Sequence, residues 1–283
     1  MRRSILWRKS VNIAMIGATG LCATVTVAAL VLILGYLAWK GAHYLTWTFL
    51  TQLPAPVGEP GGGMGNAIVG SGKMLLLAAV TGIPVGLMTG IYLAEFGGRT
   101  VSFTVRYAAD LLNGVPSIVT GIFIYTVVVL TMGNFSALAG GLALGIMMIP
   151  IVVRSTEDII LAVPGNMLEG ALALGVSKWR GVATVVLPAA RRGIMTGILL
   201  SLARVAGETA PLLFTSFNNQ YWSRGWDSPI ASLPVVIYTY AVSPYKSWHD
   251  QAWAAGFVLL ALVLLINIAA RAVLSRGQPA QRG

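Results

Sequence analysis

Long apolar runs alternate with short polar segments along the whole chain. The runs cover residues 11–39, 74–94, 111–153, 193–217 and 251–270. Each is long enough to cross a hydrocarbon core of about 30 Å as a helix. The third would be about 65 Å long as one helix at 1.5 Å per residue, so it must turn. The strong turn signal near its middle is Gly133-Asn134. The pattern therefore predicts an all-α membrane protein with six transmembrane helices.

The composition agrees with insertion into a membrane. Of the 283 residues, 56% are hydrophobic and 10% are charged, and the mean hydropathy is +0.78. This is too little charge to cover a water-soluble globule of that size. The net charge of +10 does not indicate nucleic acid binding, because the basic residues are scattered singly and form no dense stripe. One cysteine and two histidines in separate segments predict neither a disulfide framework nor a metal site.

The distribution of Lys and Arg predicts the orientation. With a cytoplasmic N-terminus, four basic residues lie outside, Arg204 lies in the membrane, and the other fourteen of the 19 lie inside. The positive-inside rule then places both termini in the cytoplasm. The first run exceeds the roughly 7 to 15 apolar residues of a signal peptide, so it is expected to remain as a helix. The predicted parts are a cytoplasmic N-terminus at 1–10, a transmembrane domain at 11–270 with a cytoplasmic loop at 154–192, and a cytoplasmic tail at 271–283.

Arg204 and Glu208 are the charged residues of an otherwise apolar run. An ionised side chain at the bilayer centre costs roughly 2.5 to 3.5 kcal/mol on insertion scales, so this pair needs a physical reason. Four residues apart, the two side chains would lie on one face of a continuous helix. Two interpretations remain open: a path for an anion, or an ion pair that neutralises itself and joins helices.

No segment has the pattern of an ATP-binding loop. Residues 70–73 (Gly-Ser-Gly-Lys) come nearest, but Ala67 stands where the leading glycine belongs and Met74 replaces the hydroxyl residue that binds magnesium. The segment reads as a glycine-rich start of the second membrane helix. The chain is therefore predicted not to be an enzyme. Active transport would need ATP hydrolysis by another chain, or an ion gradient.

The cytoplasmic loop carries a spaced motif: an E-G-A triplet, three residues, a glycine, nine residues, and V-V-L-P. This resembles the signature of permeases of ATP-binding-cassette (ABC) importers, E-A-A, three residues, G, nine residues, I-x-L-P, with Gly for Ala and Val for Ile as the departures. The resemblance implies a surface that docks a separate ATPase subunit. Its residues would be Glu169, Gly170, Ala171, Gly175, Leu187 and Pro188.

Local chemistry supports a short helix within this loop. Pro164 suits a helix start and Gly175 suits a helix end. Between them an apolar stripe suits a groove on a partner. The stripe consists of Met167, Leu168, Ala171 and Leu172. A helix that merely lies on the membrane surface is the alternative.

Three further segments indicate which group of ABC importer permeases the chain resembles. Residues 207–215 read G-E-T-A-P-L-L-F-T with Arg204 one turn before the Glu, residues 91–96 read I-Y-L-A-E-F, and residues 113–119 read N-G-V-P-S-I-V. They resemble the A-type permease subunit of phosphate-specific (Pst) ABC importers. The resemblance covers nearly the whole chain and implies the type I importer permease fold. It is most specific over residues 65–125 and 165–217.

The substrate path implied by this resemblance is built from polar residues inside the apolar runs. Phosphate carries one to two negative charges and an ionisable hydroxyl near neutral pH, so a planar Arg donor together with a carboxylate suits it. Pro211 cannot donate a hydrogen bond to the carbonyl of Gly207, so a kink is expected there. The path candidates are Arg204, Glu208 and Thr209, with Asn113, Ser117 and Thr120 as weaker ones that suit helix packing equally.

The resemblance also implies an assembly in the bacterial cytoplasmic membrane, in contact with lipid. Its partners would be a homologous C-type permease chain, two ATPase subunits that use ATP and Mg, and a periplasmic or extracellular phosphate-binding protein. No cofactor is expected on this chain itself. Two alternatives stay open: an ABC permease for another oxyanion or solute, and a carrier driven by an ion gradient.

Overall fold

A computed structural model describes residues 2–56, 59 and 61–275. Over these residues the chain forms helices joined by irregular segments, without a strand. Most of the predicted tail at 271–283 lies outside the described residues. The helices are α1 Arg2–His43, α2 Trp47–Thr51, α3 Gly65–Glu95, α4 Arg99–Gly114, α5 Ser117–Met132, α6 Ala137–Leu161, α7 Gly165–Ala173, α8 Lys178–Ala206, α9 Ala210–Thr215, α10 Leu233–Ala241 and α11 Lys246–Ser275.

The predicted number of membrane helices is confirmed. In the described part of the chain α1, α3, α6, α8 and α11 are each long and apolar enough to cross a membrane, and α4 with α5 makes a sixth span if the pair counts as one. This pair bends by 100° between Gly114 and Ser117. Pro116 explains the bend, because a proline disfavours helical backbone in the residue before it. The predicted turn at Gly133 is also present, with a left-handed φ of 75°.

Helices α3 and α6 form the most extensive helix contact of the fold. Gly82, Gly86 and Gly90 repeat every four residues on α3 and face α6. A Cβ atom added to Gly86 would lie 2.7 Å from the Cβ atom of Val152, so the two backbones approach closely. Gly145 of α6 faces α3 in the same way. Small residues at such a spacing are the usual means of tight helix packing in membranes.

Helix α1 stands at the side of the bundle and packs chiefly against α11. Its most apolar stretch is not buried within this chain. The contact is made towards the C-terminal end of α1: the Tyr36 and Trp253 rings meet edge to face with centroids 5.1 Å apart. Gly41 lies so close to α11 that an added Cβ atom would be 2.5 Å from the Cβ atom of Phe257.

The glycine-rich start of α3 has a structural role. Lys73 Nζ donates a hydrogen bond to the carbonyl of Ser223 at 3.1 Å and lies 5.8 Å from the ring centroid of Trp226. Ser71 Oγ accepts a hydrogen bond from the N–H of Leu233 at 2.8 Å. These contacts hold the segment before α10 against α3.

Candidate functional site

The helix that carries Arg204 is broken. The prediction of one continuous helix over residues 193–217 is wrong: α8 ends at Ala206, and α9 begins at Ala210. The sequence predicted a kink at Pro211, whereas the structure has a complete break in the helix. Pro211 stands in the first turn of the new helix, where its missing N–H is tolerated, and it cannot continue the old one.

This break separates Arg204 from Glu208. The two side chains lose the alignment of a continuous helix, and in the described part of the chain no ion pair within 4.0 Å joins them. Arg204 is exposed, and Glu208 and Thr209 are half-buried at the break. The self-neutralised ion pair is therefore not formed in this structure. The guanidinium of Arg204 stays available to another group.

A cavity of about 20 Å³ lies beside Arg204, where α4, α5, α6 and α8 meet. A space of about 10 to 15 Å³ is enough for one water, so an oxyanion would need this cavity to widen. Two of the weaker candidates, Asn113 and Thr120, line it together with Arg204, whereas Ser117, Glu208 and Thr209 do not. The lining residues are Leu112, Asn113, Val115, Thr120, Ile146, Met147, Ile151, Arg204 and Val205.

The break lies next to this cavity. A Cβ atom added to Gly121 of α5 would be 2.6 Å from the Cα atom of Pro211, so α9 packs tightly on α5 one residue after Thr120. The cavity wall thus combines a guanidinium, an amide and a hydroxyl with apolar side chains. All three polar groups can donate hydrogen bonds to an anion, and none of the lining side chains is a carboxylate.

Four charged residues that the sequence analysis did not select join α4 to the end of α6. Arg106 Nε is 2.5 Å from Oε1 of Glu157, and Arg154 forms a two-bond pair with Asp110 at 2.8 and 2.9 Å. Arg154 also reaches Oε2 of Glu157 at 3.3 Å. The Glu157 side chain is only 1% exposed. This ion cluster, Arg106, Asp110, Arg154 and Glu157, holds the helix whose last residues line the cavity.

The predicted short helix of the cytoplasmic loop is present as α7. Pro164 precedes it, and Gly175 follows it with a left-handed φ of 80°. The N–H of Gly175 donates to the carbonyl of Leu172, and the N–H of Val176 donates to the carbonyl of Ala171. This pair of bonds is the Schellman arrangement that ends a helix at a glycine.

The apolar stripe of α7 is divided between two faces. Leu168 and Ala171 turn inward, where an atom added at Gly181 would lie 2.8 Å from Cδ1 of Leu168. Met167 and Leu172 point outward, 42% and 40% exposed. Glu169, Gly170 and Gly175 are exposed, so they and the two outer side chains form the accessible part of the predicted docking surface.

The last two docking candidates lie elsewhere. Leu187 packs against the hydrophobic core, and exposed Pro188 follows a π-helical stretch, Val182–Val186, inside α8. They therefore shape the base of α8 rather than the surface of α7. No group of three or more His, Cys, Asp or Glu side chains suited to a metal ion occurs among the described residues.

Known proteins resemble this chain over most of its length. The family model described as "Binding-protein-dependent transport system inner membrane component" matches residues 82–278. The "Phosphate transport system permease protein PstA" of Yersinia pestis is 42% identical, with 97% of this chain and 94% of that protein covered. The protein of the same name from Xylella fastidiosa (strain Temecula1) is 48% identical over 84% of each chain.

A solved structure shares the fold. It is titled "Inward facing conformations of the MetNI methionine ABC transporter", and its matching chain has a TM-score of 0.61 at 20% identity. The match covers 76% of this chain and 98% of that one. At such low identity the likeness concerns the architecture alone.

Proposed function

Because the chain belongs to the binding-protein-dependent transport system inner membrane components, and among them to the PstA phosphate permeases, we propose that it is the membrane-spanning permease subunit of an ATP-driven importer of inorganic phosphate. The observation that carries the proposal is the position of Arg204. Its guanidinium is unpaired with Glu208 and lines a cavity with Asn113 and Thr120 at a helix break.

The chemistry of this site suits phosphate. A guanidinium can donate two parallel hydrogen bonds to a phosphate, and the amide and hydroxyl add further donors. Glu208 at the adjacent break supplies a carboxylate that can accept the phosphate proton once the cavity widens. The low dielectric of the surrounding apolar side chains strengthens each of these interactions.

The partners of this permease follow from its two exposed functional regions. The cavity is too small for phosphate, so we infer that a second, C-type permease chain contributes to a wider path. The docking surface of α7 would receive one of two ATPase subunits, which bind ATP and Mg. A phosphate-binding protein would deliver the anion to the outer side, and both termini would lie in the cytoplasm of a bacterium.

The proposal is tested by ATP-driven uptake of radiolabelled phosphate into proteoliposomes that contain the purified complex. We expect uptake that requires ATP, is inhibited by excess unlabelled phosphate and arsenate, and is insensitive to sulfate. Uptake driven by a proton or sodium gradient without ATP would contradict the proposal. Stronger inhibition by another oxyanion would instead reassign the substrate.

Arg204→Gln should abolish this uptake while the complex still assembles. The matched control is Arg99→Gln, because Arg99 is an exposed arginine at the start of α4 and does not line the cavity. Equal loss in both variants would show a general effect of charge rather than a role of the cavity.

A further inference from the structure

Lys178 makes three contacts with the cytoplasmic end of α3. Its ammonium group donates a hydrogen bond to the main-chain carbonyl of Glu95, the last residue of that helix. It also lies 3.8 Å from Oε2 of the Glu95 carboxylate and 5.2 Å from the ring centroid of Phe96. A cation at the end of a helix is favourable, because the last carbonyls lack partners there.

The position of Lys178 in the chain gives these contacts their importance. It is the first residue of α8, whose last turn bears Arg204 about 39 Å further along at 1.5 Å per residue. Glu95 ends α3, the helix that packs through glycines along α6. The contact therefore joins one end of the Arg204 helix to one end of the central helix pair.

The same contact lies beside α7, the proposed docking helix. A groove of about 270 Å³ separates α7 from the end of α3, and Lys178 and Glu95 form one wall of it. Leu168, Glu169 and Leu172 of α7 form another. A force applied to α7 by a bound partner thus acts next to the junction of α3 and α8.

We infer that Lys178 is a positioning residue that transmits movement of the docking helix to α3 and α8. The inference rests on the proposed function, because it assumes an ATPase bound at α7. The Lys178 side chain is 47% exposed, so its ion pair contributes little to stability. Its three directional contacts instead fix the relative position of two helix ends, and loss of them should uncouple ATP hydrolysis from transport without unfolding the permease.

The test measures phosphate uptake and ATP hydrolysis by the same complex in proteoliposomes. Lys178→Met keeps the length of the side chain and removes its charge. We expect uptake per ATP hydrolysed to fall severalfold, because hydrolysis would continue while movement of α7 would no longer reach α3 and α8. ATPase co-purification and the thermal unfolding midpoint should stay as in the parent. Lys178→Arg should restore most of the ratio, and Glu95→Gln should lower it less, because it leaves the carbonyl and ring contacts in place.

Arg180→Met is the matched control, since Arg180 is an exposed cation on the same turn that stacks on Trp179 at 5.2 Å. It should leave the ratio of uptake to hydrolysis unchanged. A parent-like ratio in Lys178→Met, or an equal loss in Arg180→Met, would overturn the inference while the proposed function stands. Absence of ATP-driven uptake by the parent complex would instead contradict the proposed function.

Discussion

The buried carboxylate of Glu157 accepts a hydrogen bond from the guanidinium of Arg106 at 2.5 Å, across the contact between α6 and α4. The two residues are 51 positions apart in the chain. Through this bond the end of α6 that leads into α7 holds the helix that carries Asn113. The ion cluster thus links the α7 end of α6 to a helix that lines the cavity.

Removal of this carboxylate should destabilise the permease. Glu157→Ala leaves two arginines facing a buried space, and breaking a buried pair costs roughly 3 to 5 kcal/mol. We expect the lower end of that range, because both guanidinium groups also reach solvent. The measurement is the thermal unfolding midpoint in detergent. Asp110→Asn is the control, since Asp110 is 54% exposed and its loss should lower the midpoint much less.

The glycines of α3 that face α6, Gly82, Gly86 and Gly90, form a packing seam. It predicts a steric effect at one of its residues and none at a glycine elsewhere on the same helix. Gly86→Ala places a Cβ atom 2.7 Å from the Cβ atom of Val152, and such overpacking typically costs about 1 to 3 kcal/mol. Gly72→Ala meets no atom within 4 Å and should be neutral or slightly stabilising. Unfolding midpoints of the two variants test this. An equal midpoint for both would show that the seam does not limit packing.

The sequence predicted the membrane helices and the docking helix but not how they pack. The apolar runs, the turn at Gly133 and the signals at Pro164 and Gly175 are local, so one chain is enough to recognise them. The four-residue repeat of Gly82, Gly86 and Gly90 is also visible in the sequence, but the helix that it faces is not. Helix α4 was missed because its polar and apolar residues alternate with no long apolar run.

The candidate site could be predicted only in part. Arg204 could be selected because charged residues in an apolar run are costly, but its distance from Glu208 depends on where the helix ends. Gly207 and Pro211 predicted a kink in this helix but not a complete break. The pairing of Arg106 with Glu157 and the position of Arg204 and Asn113 around one cavity depend on how helices far apart in the chain pack. A single sequence does not contain that information.

The helix end at Gly175 predicts a selective loss of docking. Gly175→Val forces a β-branched residue into a left-handed conformation, which costs at least about 1 to 2 kcal/mol and should misdirect the chain after α7. We expect weaker co-purification of the ATPase and slower uptake, with normal membrane insertion. Gly165→Ala is the control on the same helix, because Gly165 is not among the predicted docking residues and an added Cβ atom meets nothing within 4 Å there. Loss of docking in the control alone would contradict the assignment.

The orientation predicts which positions are reached from each side. In a Cys22→Ser background, which removes the exposed native thiol, a cysteine at exposed Gly61 or Gln220 should react with an impermeant thiol reagent added to intact cells. A cysteine at exposed Thr100 or Gly165 should react only after the membrane is opened. The asymmetry of basic residues supports this assignment. The reverse labelling pattern would place the docking helix outside and exclude an ATPase partner.

Variants of Arg204 and Glu208 can distinguish an anion path from a structural ion pair. If the two charges only neutralised each other, Arg204→Gln combined with Glu208→Gln would recover much of the uptake lost in either single variant, because no charge would remain unpaired. The structure shows no ion pair within 4.0 Å between them, so we expect the double variant to stay inactive. Arg204→Lys should also be impaired, since a point charge cannot reproduce the forked donor.

Phosphate uptake by each variant, at equal amounts of assembled complex, is the measurement for this last prediction. Thr196→Ala on α8 serves as the control, because Thr196 is exposed, does not line the cavity, and donates its hydroxyl to the carbonyl of Arg192 one turn earlier. It should transport like the parent. Uptake near the parent level in the double variant would assign Arg204 and Glu208 to a salt bridge formed in another state of the transport cycle. Inactivity of the double variant together with impaired Arg204→Lys would support a direct encounter between this guanidinium and the anion.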